Sequence, residues 1–344
     1  MLHYHRRWIN NMKKILLIAT GGTIASKPSS SGLVPKLTSE EIAEFVPEIN
    51  QICKFHSCQP FCLDSTNVTP EKWLVIANTI QDNYHKYDGF VITHGTDTLS
   101  YTAAALSYMI QKSPKPIVLT GSQKSIYLRD TDARGNLIDA FRYAADPLAC
   151  GVKVVFNGQV ILGTRARKNK THSYNAFDSI DYPSVANITS SRVIHYILPD
   201  MENYQKEGPI FNLKIDPSVI LLKLTPGMKG STIEVLGKMY RAMIIEAFGQ
   251  GGLPDQGEDS LREAVDRYTG NGGLVAITTQ VPYEGSSLST YKVGRDLCDN
   301  PNVLEGGNMT IEALTCKLIW ILGQTTDDME THRLFYTPVD FDIL

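Results

Sequence analysis

The stretches G-F-V-I-T (89–93) and P-I-V-L-T (116–120) decide the fold class. Each is a short, nearly unbroken apolar run rich in β-branched residues, as expected of strands buried on both faces of a parallel sheet. Between them, Leu99–Gln111 reads as a helix, and the alternation continues outward in both directions. Further strands are expected at Lys14–Ala19, Phe61–Asp64 and Val152–Asn157, with helices at Ser39–Phe45, Pro70–Tyr84 and Ala133–Ala145. Asn157-Gly158, between V-V-F and Q-V-I-L-G, is a two-residue hairpin signal. A polar stretch, M-E-N-Y-Q-K-E-G-P-I-F-N-L-K-I-D-P (201–217), interrupts this rhythm and reads as a linker. Beyond it, strands at 219–224, 241–247 and 273–278 alternate with helices near 231–239 and 259–268, followed by helices near 287–299 and 309–322. The expected fold is α/β: a larger N-terminal parallel-sheet domain over 13–200 and a smaller C-terminal α/β (Rossmann-like) domain over 218–344. Residues 1–12 read as a tail, because Met12-Lys13-Lys14 looks like a natural beginning.

A chain of 344 residues exceeds what one core usually organises, which favours two domains. The formal net charge of −3, with no long basic tract, argues against a nucleic-acid partner, whose phosphates need a clustered basic footprint. No apolar stretch approaches the ~20 residues that span a bilayer, so no membrane association is expected. The apolar run Ile15–Ala19 is too short for a signal-peptide core. Cys53, Cys58 and Cys62 cluster around His56, but the paired C-x2-C spacing of a zinc site is missing. Reduced thiols in a cytoplasmic protein account for these, and for Cys150, Cys298 and Cys316. No metal and no cofactor are expected.

In open α/β sheets, ligands collect beyond the carboxyl ends of the strands, over helix N-termini. The residues there are Thr20-Gly21-Gly22-Thr23, Asp64-Ser65-Thr66-Asn67, His94-Gly95-Thr96-Asp97-Thr98 and Gly121-Ser122-Gln123. Four strand ends thus carry hydroxyls, glycines and acids. The first loop lacks the G-x-G-x-x-G pattern and the Lys-Ser/Thr of nucleotide-phosphate loops. A plain tight turn explains Gly21 and Gly22 but not a threonine on each side. Thr96 or Asp97 has the competing reading of a cap on the Leu99 helix.

L-I-A-T-G-G-T-I-A (17–25) and G-F-V-I-T-H-G-T-D-T-L (89–99) resemble the two signature segments of the asparaginase/glutaminase family. D-S-T-N-V-T-P-E-K-W (64–73), A-L-S-Y-M (105–109), P-I-V-L-T-G-S (116–122), R-A-R-K with N-A-F-D-S-I (165–180), L-T-P-G (224–227) and T-T-Q (278–280) match as well. From Met12 onward the chain is similar to the bacterial type I, cytoplasmic branch of L-asparaginases.

The resemblance implies hydrolysis of L-asparagine to L-aspartate and ammonia. Thr23 attacks the side-chain amide carbon, and an acyl-enzyme is favoured over direct displacement by water. Thr96 sits opposite, linked to Lys168 and Asp97, in a relay serving the water or the leaving amine. A threonine hydroxyl needs such a base, and an amine suits the role only if burial lowers its pKa against the pull of a neighbouring carboxylate. Arg165, Arg167 and Lys170 surround Lys168, so the run could be a solvated face; only its distance to Ala176-Phe177 makes it the family's lysine. Asp97 is implied to bind the α-ammonium and Ser65 the α-carboxylate, with Gly22, Asp64, Thr66 and Gly95 completing the pocket. Ser122 faces the leaving amide through its backbone. Backbone N–H groups near Thr23 and Thr96 supply an oxyanion hole, worth ~3–4 kcal/mol of barrier per donor.

Two departures accompany the match. Leu33 stands where many relatives carry a tyrosine on the mobile loop, here Ser26–Lys36, leaving Tyr174 or Tyr291 as substitutes. Tyr291-Lys292 falls near the position of a glutamate supplied by a partner subunit in periplasmic relatives, and Gln250 near a second such residue. The family implies a homodimer or homotetramer. A tRNA-dependent amidotransferase subunit shares this core, but carries an extra domain before the threonine loop, whereas only about a dozen residues precede the first expected strand here. A non-catalytic amino-acid-binding domain is the third alternative.

Overall fold

The computed structural model of the chain describes residues 12–29, 32–35, 41, 44–255, 259–290, 295, 297 and 299–344. The chain divides into two units, with the boundary between Leu213 and Lys214.

The first unit is built on an eight-stranded sheet. Its parallel part comprises β1 (Lys14–Ala19), β4 (Lys54–Cys58), β5 (Gly89–Thr93), β7 (Pro116–Thr120) and β8 (Gly151–Phe156), in the spatial order β4-β1-β5-β7-β8. The chain moves from β1 to β4 on one side, then returns to place β5 on the other. The winding therefore reverses between β1 and β5, and that reversal opens a crevice at their carboxyl ends. Ile15, Leu17 and Ala19 pack with Val91, Val118 and the Leu137, Ala140 and Phe141 face of helix Ala133–Ala145. Leu16 and Ile18, which project to the opposite face by the two-residue period of a strand, are buried too. Burial on both faces is what the unbroken apolar runs required.

The edge strand departs from expectation. β4 covers Lys54–Cys58, whereas Leu63, inside the expected strand Phe61–Asp64, makes only a single parallel bridge to Gly21. K-F-H-S-C faces solvent on alternate residues and carries no apolar run, so the pattern pointed to the more apolar residues beyond it. At the other side, β9 (Gln159–Leu162), β12 (Ala186–Thr189) and β13 (Arg192–His195) extend the sheet antiparallel. Asn157 and Gly158, both at positive φ (49° and 76°), make the turn between β8 and β9, as their type I′ preference dictates.

Within the stretch read as a linker, Met201–Glu207 is a helix and β14 (Ile210–Phe211) pairs antiparallel with β6 (Ile110–Gln111). The helix buries none of its residues, so it leaves no amphipathic signature; Asp200 caps it by accepting from the Asn203 N–H. Where a loop was expected over Ser26–Lys36, β2 (Ser26–Ser29) and β3 (Gly32–Pro35) form an antiparallel pair, with Leu33 opposite Pro28. Most of the expected helix Ser39–Phe45 lies outside the described residues.

The second unit has a four-stranded parallel sheet in sequential order: β15 (Val219–Lys223), β16 (Ala242–Ala247), β17 (Leu274–Thr279) and β18 (Val303–Glu305). Met243, Ile245, Val275 and Ile277 share a core with Leu261, Ala264 and Val265 of helix Leu261–Gly270. That helix opens on Ser260, whose side chain accepts from the Glu263 N–H. Of the helix expected near 287–299, a 3-10 turn at Leu288–Thr290 is seen, and most of the remainder, including Tyr291, Lys292 and Cys298, lies outside the described residues. The fold is thus α/β throughout, with a larger and a smaller parallel sheet. Among the described residues, no helix is long and apolar enough to cross a membrane.

Candidate functional site

At the reversal point, glycines let backbones meet. The Thr20 N–H and hydroxyl both donate to the Thr93 carbonyl, at 3.1 and 2.8 Å, fastening the end of β1 to the end of β5. Gly21 and Gly22 follow at positive φ (104° and 79°). A Cβ on Gly22 would lie 2.3 Å from the Gly95 nitrogen, and one on Gly95 would lie 2.5 Å from Ser65 Oγ. One on Gly121 would lie 2.4 Å from the His94 carbonyl oxygen and 3.5 Å from Thr96 Cγ2. The four strand-end loops therefore touch through positions where no side chain fits. Thr23, half-buried, follows Gly22 and opens a 3-10 turn over Thr23–Ala25.

Lys168 joins this cluster from the end of β10 (Ala166–Lys168), which is held by β11 (Phe177–Ser179) with Lys168 opposite Phe177. Its amine donates to Thr96 Oγ1 and to Asp97 Oδ1, both at 2.7 Å. The basic run is no solvated face at this point: Arg165 is fully buried and the Lys168 side chain only 17% exposed. Asp97 is 56% exposed, so its carboxylate is open on one side and bound to the amine on the other. Nor are these residues helix caps. The helix Leu99–Met109 starts after Thr98 without a side-chain cap, and the Thr98 hydroxyl donates instead to the Ser65 carbonyl at 2.7 Å.

Other expected residues are engaged locally. Asp64 accepts from the Thr66 N–H (2.9 Å) and hydroxyl (2.7 Å), which sets the 3-10 turn Ser65–Asn67 and buries Ser65. The Ser122 hydroxyl, also buried, donates to the Lys124 carbonyl. The Tyr174 hydroxyl donates to the Asp130 carbonyl, and Lys124 lies over its ring while pairing with Asp130. Gln250 belongs to the second unit, where its carbonyl accepts from the Ser287 N–H at 2.9 Å.

Two further residues, to which no role was assigned from sequence, sit in the cluster. Gln123 donates through Nε2 to the carbonyls of Lys170 (3.3 Å) and Ser173 (3.1 Å), which leaves Oε1 facing the Thr96 hydroxyl at 3.4 Å. His94 is fully buried, with Nδ1 2.8 Å from the Gly95 carbonyl oxygen and Nε2 2.9 Å from Thr102 Oγ1. Burial pushes its ring down to about 4, the Gly95 carbonyl only partly opposing this. The available signal was position alone: a histidine directly after a strand buried on both faces. Elsewhere, burial pushes the Cys53 thiol up to about 12, and His56 Nδ1 lies 3.1 Å from the Tyr87 hydroxyl. Among the described residues, no group of three or more His, Cys, Asp or Glu side chains is arranged to hold a metal ion.

Fold and cluster together define a two-unit α/β protein with threonine hydroxyls, an amine and a carboxylate at the reversal point of its larger sheet. The chain belongs to the asparaginase/glutaminase family: residues 14–199 match Asparaginase, N-terminal, and residues 218–335 match the Glutaminase/Asparaginase C-terminal domain. It is 36% identical over 322 residues to the L-asparaginase of Thermococcus kodakarensis, covering 93% of this chain and 96% of that one. It is also 36% identical over 335 residues to a glutamyl-tRNA(Gln) amidotransferase subunit of Pyrococcus furiosus, covering 94% of this chain and 75% of that protein. The solved thermostable L-asparaginase from Thermococcus kodakarensis superposes with a TM-score of 0.89 at 35% identity, over 96% of this chain and 99% of that one. L-asparaginase I from Vibrio cholerae does so with a TM-score of 0.82 at 28% identity, over 97% and 99%. Membership of this family suggests an amidohydrolase.

Proposed function

We propose that this protein is an L-asparaginase that hydrolyses L-asparagine to L-aspartate and ammonia through a Thr23 ester. The observation that carries the reading is the Lys168 amine held between Thr96 Oγ1 and Asp97 Oδ1, on the loop that meets the Thr23 loop at Gly22–Gly95. Thr23 Oγ forms a bond to the side-chain acyl carbon while the amide C–N bond breaks. The Thr23 proton and a proton relayed from Lys168 through Thr96 accompany the nitrogen out as an ammonium ion, the protonated form of the ammonia product. Water then cleaves the ester, returning one proton to Thr23 and restoring the relay. The exposed side of Asp97 suits the substrate's α-ammonium, and Ser65, beside Gly95, suits its α-carboxylate. Asp64 and Thr66 act by holding the Ser65 turn, and Ser122 through its backbone. Gly22 and Gly95 keep the pocket open to a small ligand. The Thr23 N–H, at the head of a 3-10 turn, has no partner within that turn and serves as an oxyanion donor. We read the protein as a cytoplasmic homodimer or homotetramer with domains over 13–200 and 218–344, on the strength of the family likeness.

Ammonia release from asparagine and glutamine by wild type, Thr23→Ala and Lys168→Met tests the reading. The expected outcome is turnover by wild type with loss of at least about 10³-fold in kcat for Thr23→Ala, the scale seen when a hydroxyl nucleophile is removed. Preference for asparagine should stay within the roughly 10–200-fold that one methylene provides. Activity retained in Thr23→Ala would remove that residue from the nucleophile role. The likeness to the Pyrococcus furiosus amidotransferase protein favours a second reading, an ammonia-supplying subunit acting on a tRNA-bound substrate. Salt-sensitive tRNA binding, with free asparagine left intact, would decide for it.

A further inference from the structure

We propose that His94 is a positioning residue for this hydrolysis: its Nδ1–H holds the Gly95 carbonyl and thereby turns the Thr96 backbone N–H toward the substrate's amide oxygen. The inference rests on the hydrolase reading above.

The ring's two contacts fix its tautomer. Nδ1 lies 2.8 Å from the Gly95 carbonyl oxygen, which only accepts, so Nδ1 carries the proton. Buried and neutral, the ring has no second proton, so Nε2 accepts from the Thr102 hydroxyl at 2.9 Å. Thr102 is itself fixed on helix Leu99–Met109, its N–H donating to the Thr98 carbonyl at 3.1 Å. Helix, imidazole and Gly95 carbonyl thus form one chain of donors and acceptors, each satisfied in one orientation.

In a trans peptide, the carbonyl and the following N–H point in opposite directions. With the Gly95 carbonyl held against the buried imidazole, the Thr96 N–H faces away from it, and it finds no acceptor among the described residues. Position 95 has to be glycine, because a Cβ there would strike Ser65 and Gly22. Glycine is also the residue whose peptide rotates at least cost. Close loop packing therefore puts a glycine peptide, free of side-chain restraint, next to Thr96, and His94 removes that freedom. An oxyanion donor works only when fixed before the charge develops.

Substitutions that separate the two ring nitrogens test this. The amide of His94→Asn reaches Gly95 as Nδ1–H does, while that of His94→Gln extends toward Thr102 in the manner of Nε2. His94→Asn is expected to keep kcat for asparagine within about tenfold of wild type. His94→Gln is expected to lose about 10²–10³-fold in kcat, the scale of one oxyanion donor, with KM within about threefold because the interaction strengthens only in the transition state. Imidazole 15N spectra of the wild type give a readout that needs no variant to fold. The ring that stays neutral down to about pH 5 should carry its proton on Nδ1. Wild-type kcat in His94→Gln, or a proton on Nε2 of that ring, overturns the assignment while leaving the hydrolase intact. A wild-type protein that releases no ammonia from asparagine or glutamine overturns both.

Discussion

His94 keeps a neutral ring in the core, and that neutrality becomes costly as the medium turns acidic. Its folded-state value is about 4, against 6.5 when exposed. Below about 6.5 the unfolded chain takes up a proton at this ring that the folded chain does not, so stability falls as pH drops from 6.5 toward 4 and levels off below. The full shift corresponds to about 3 kcal/mol. The urea midpoint of wild type should therefore fall more between pH 7 and 4.5 than that of His94→Asn, and equal falls would show that the ring is not held neutral. The residues around it differ in how far the sequence exposes them. Thr23, Thr96 and Asp97 stood out as candidates because they follow strand ends, whatever their partners, and their roles came from the family resemblance. Lys168 was not readable from its own run, since four basic residues look alike until Arg165 proves buried and Lys168 proves shared between Thr96 and Asp97. Gln123 and His94 are placed by contacts with Lys170, Ser173 and Thr102 that no local pattern encodes.

At the level of strands and turns, the same residue type has opposite effects depending on what surrounds it. Gly22 has φ +79°, and a Cβ there would meet backbone at 2.3 and 2.4 Å, which no rotamer change relieves. Gly22→Ala combines left-handed strain with overpacking, each of about 1–3 kcal/mol. It is expected to lower stability by about 2–6 kcal/mol and to part the Thr23 loop from the Thr96 loop. Gly135 lies exposed in helix Ala133–Ala145 with nothing within 4 Å of its missing Cβ. Gly135→Ala should raise stability by about 0.5–1 kcal/mol with activity unchanged. Chemical denaturation of the two variants beside wild type checks both signs, and a stable Gly22→Ala would contradict the close loop contact. Elements were legible in proportion to their burial. β5 and β7 announce themselves because both faces are covered, and the β8–β9 turn because Asn157 and Gly158 supply its positive φ. β4 and the helix Met201–Glu207 do not, because an edge strand exposed on alternate residues and a helix with no buried face carry almost no apolar pattern.

Across the molecule, each unit has its own core, and the second closes on the end of its own chain. Lys317, on helix Ile311–Gln324, and Asp342 are both fully buried and lie 2.7 Å apart. Lys317 also donates to the Thr337 carbonyl at 3.1 Å, and Asp342 accepts from the Val339 N–H at 2.8 Å. Burial pushes the Lys317 amine down while the Asp342 carboxylate pulls it back up, so each charge is tolerated because of the other. Removing one partner strands the second in an apolar setting, at a cost of about 3–5 kcal/mol, whereas replacing both with apolar groups removes the desolvation penalty together with the attraction. Lys317→Met and Asp342→Asn should each lower the urea midpoint strongly, and Lys317→Met with Asp342→Leu should recover most of the loss. Amide exchange of helix Ile311–Gln324 reads the effect where it arises. Additive losses in the double variant would mean that the two side chains act independently. Recovery would show that the ion pair holds residues 338–344 in place without adding to stability beyond what a well-packed apolar pair provides.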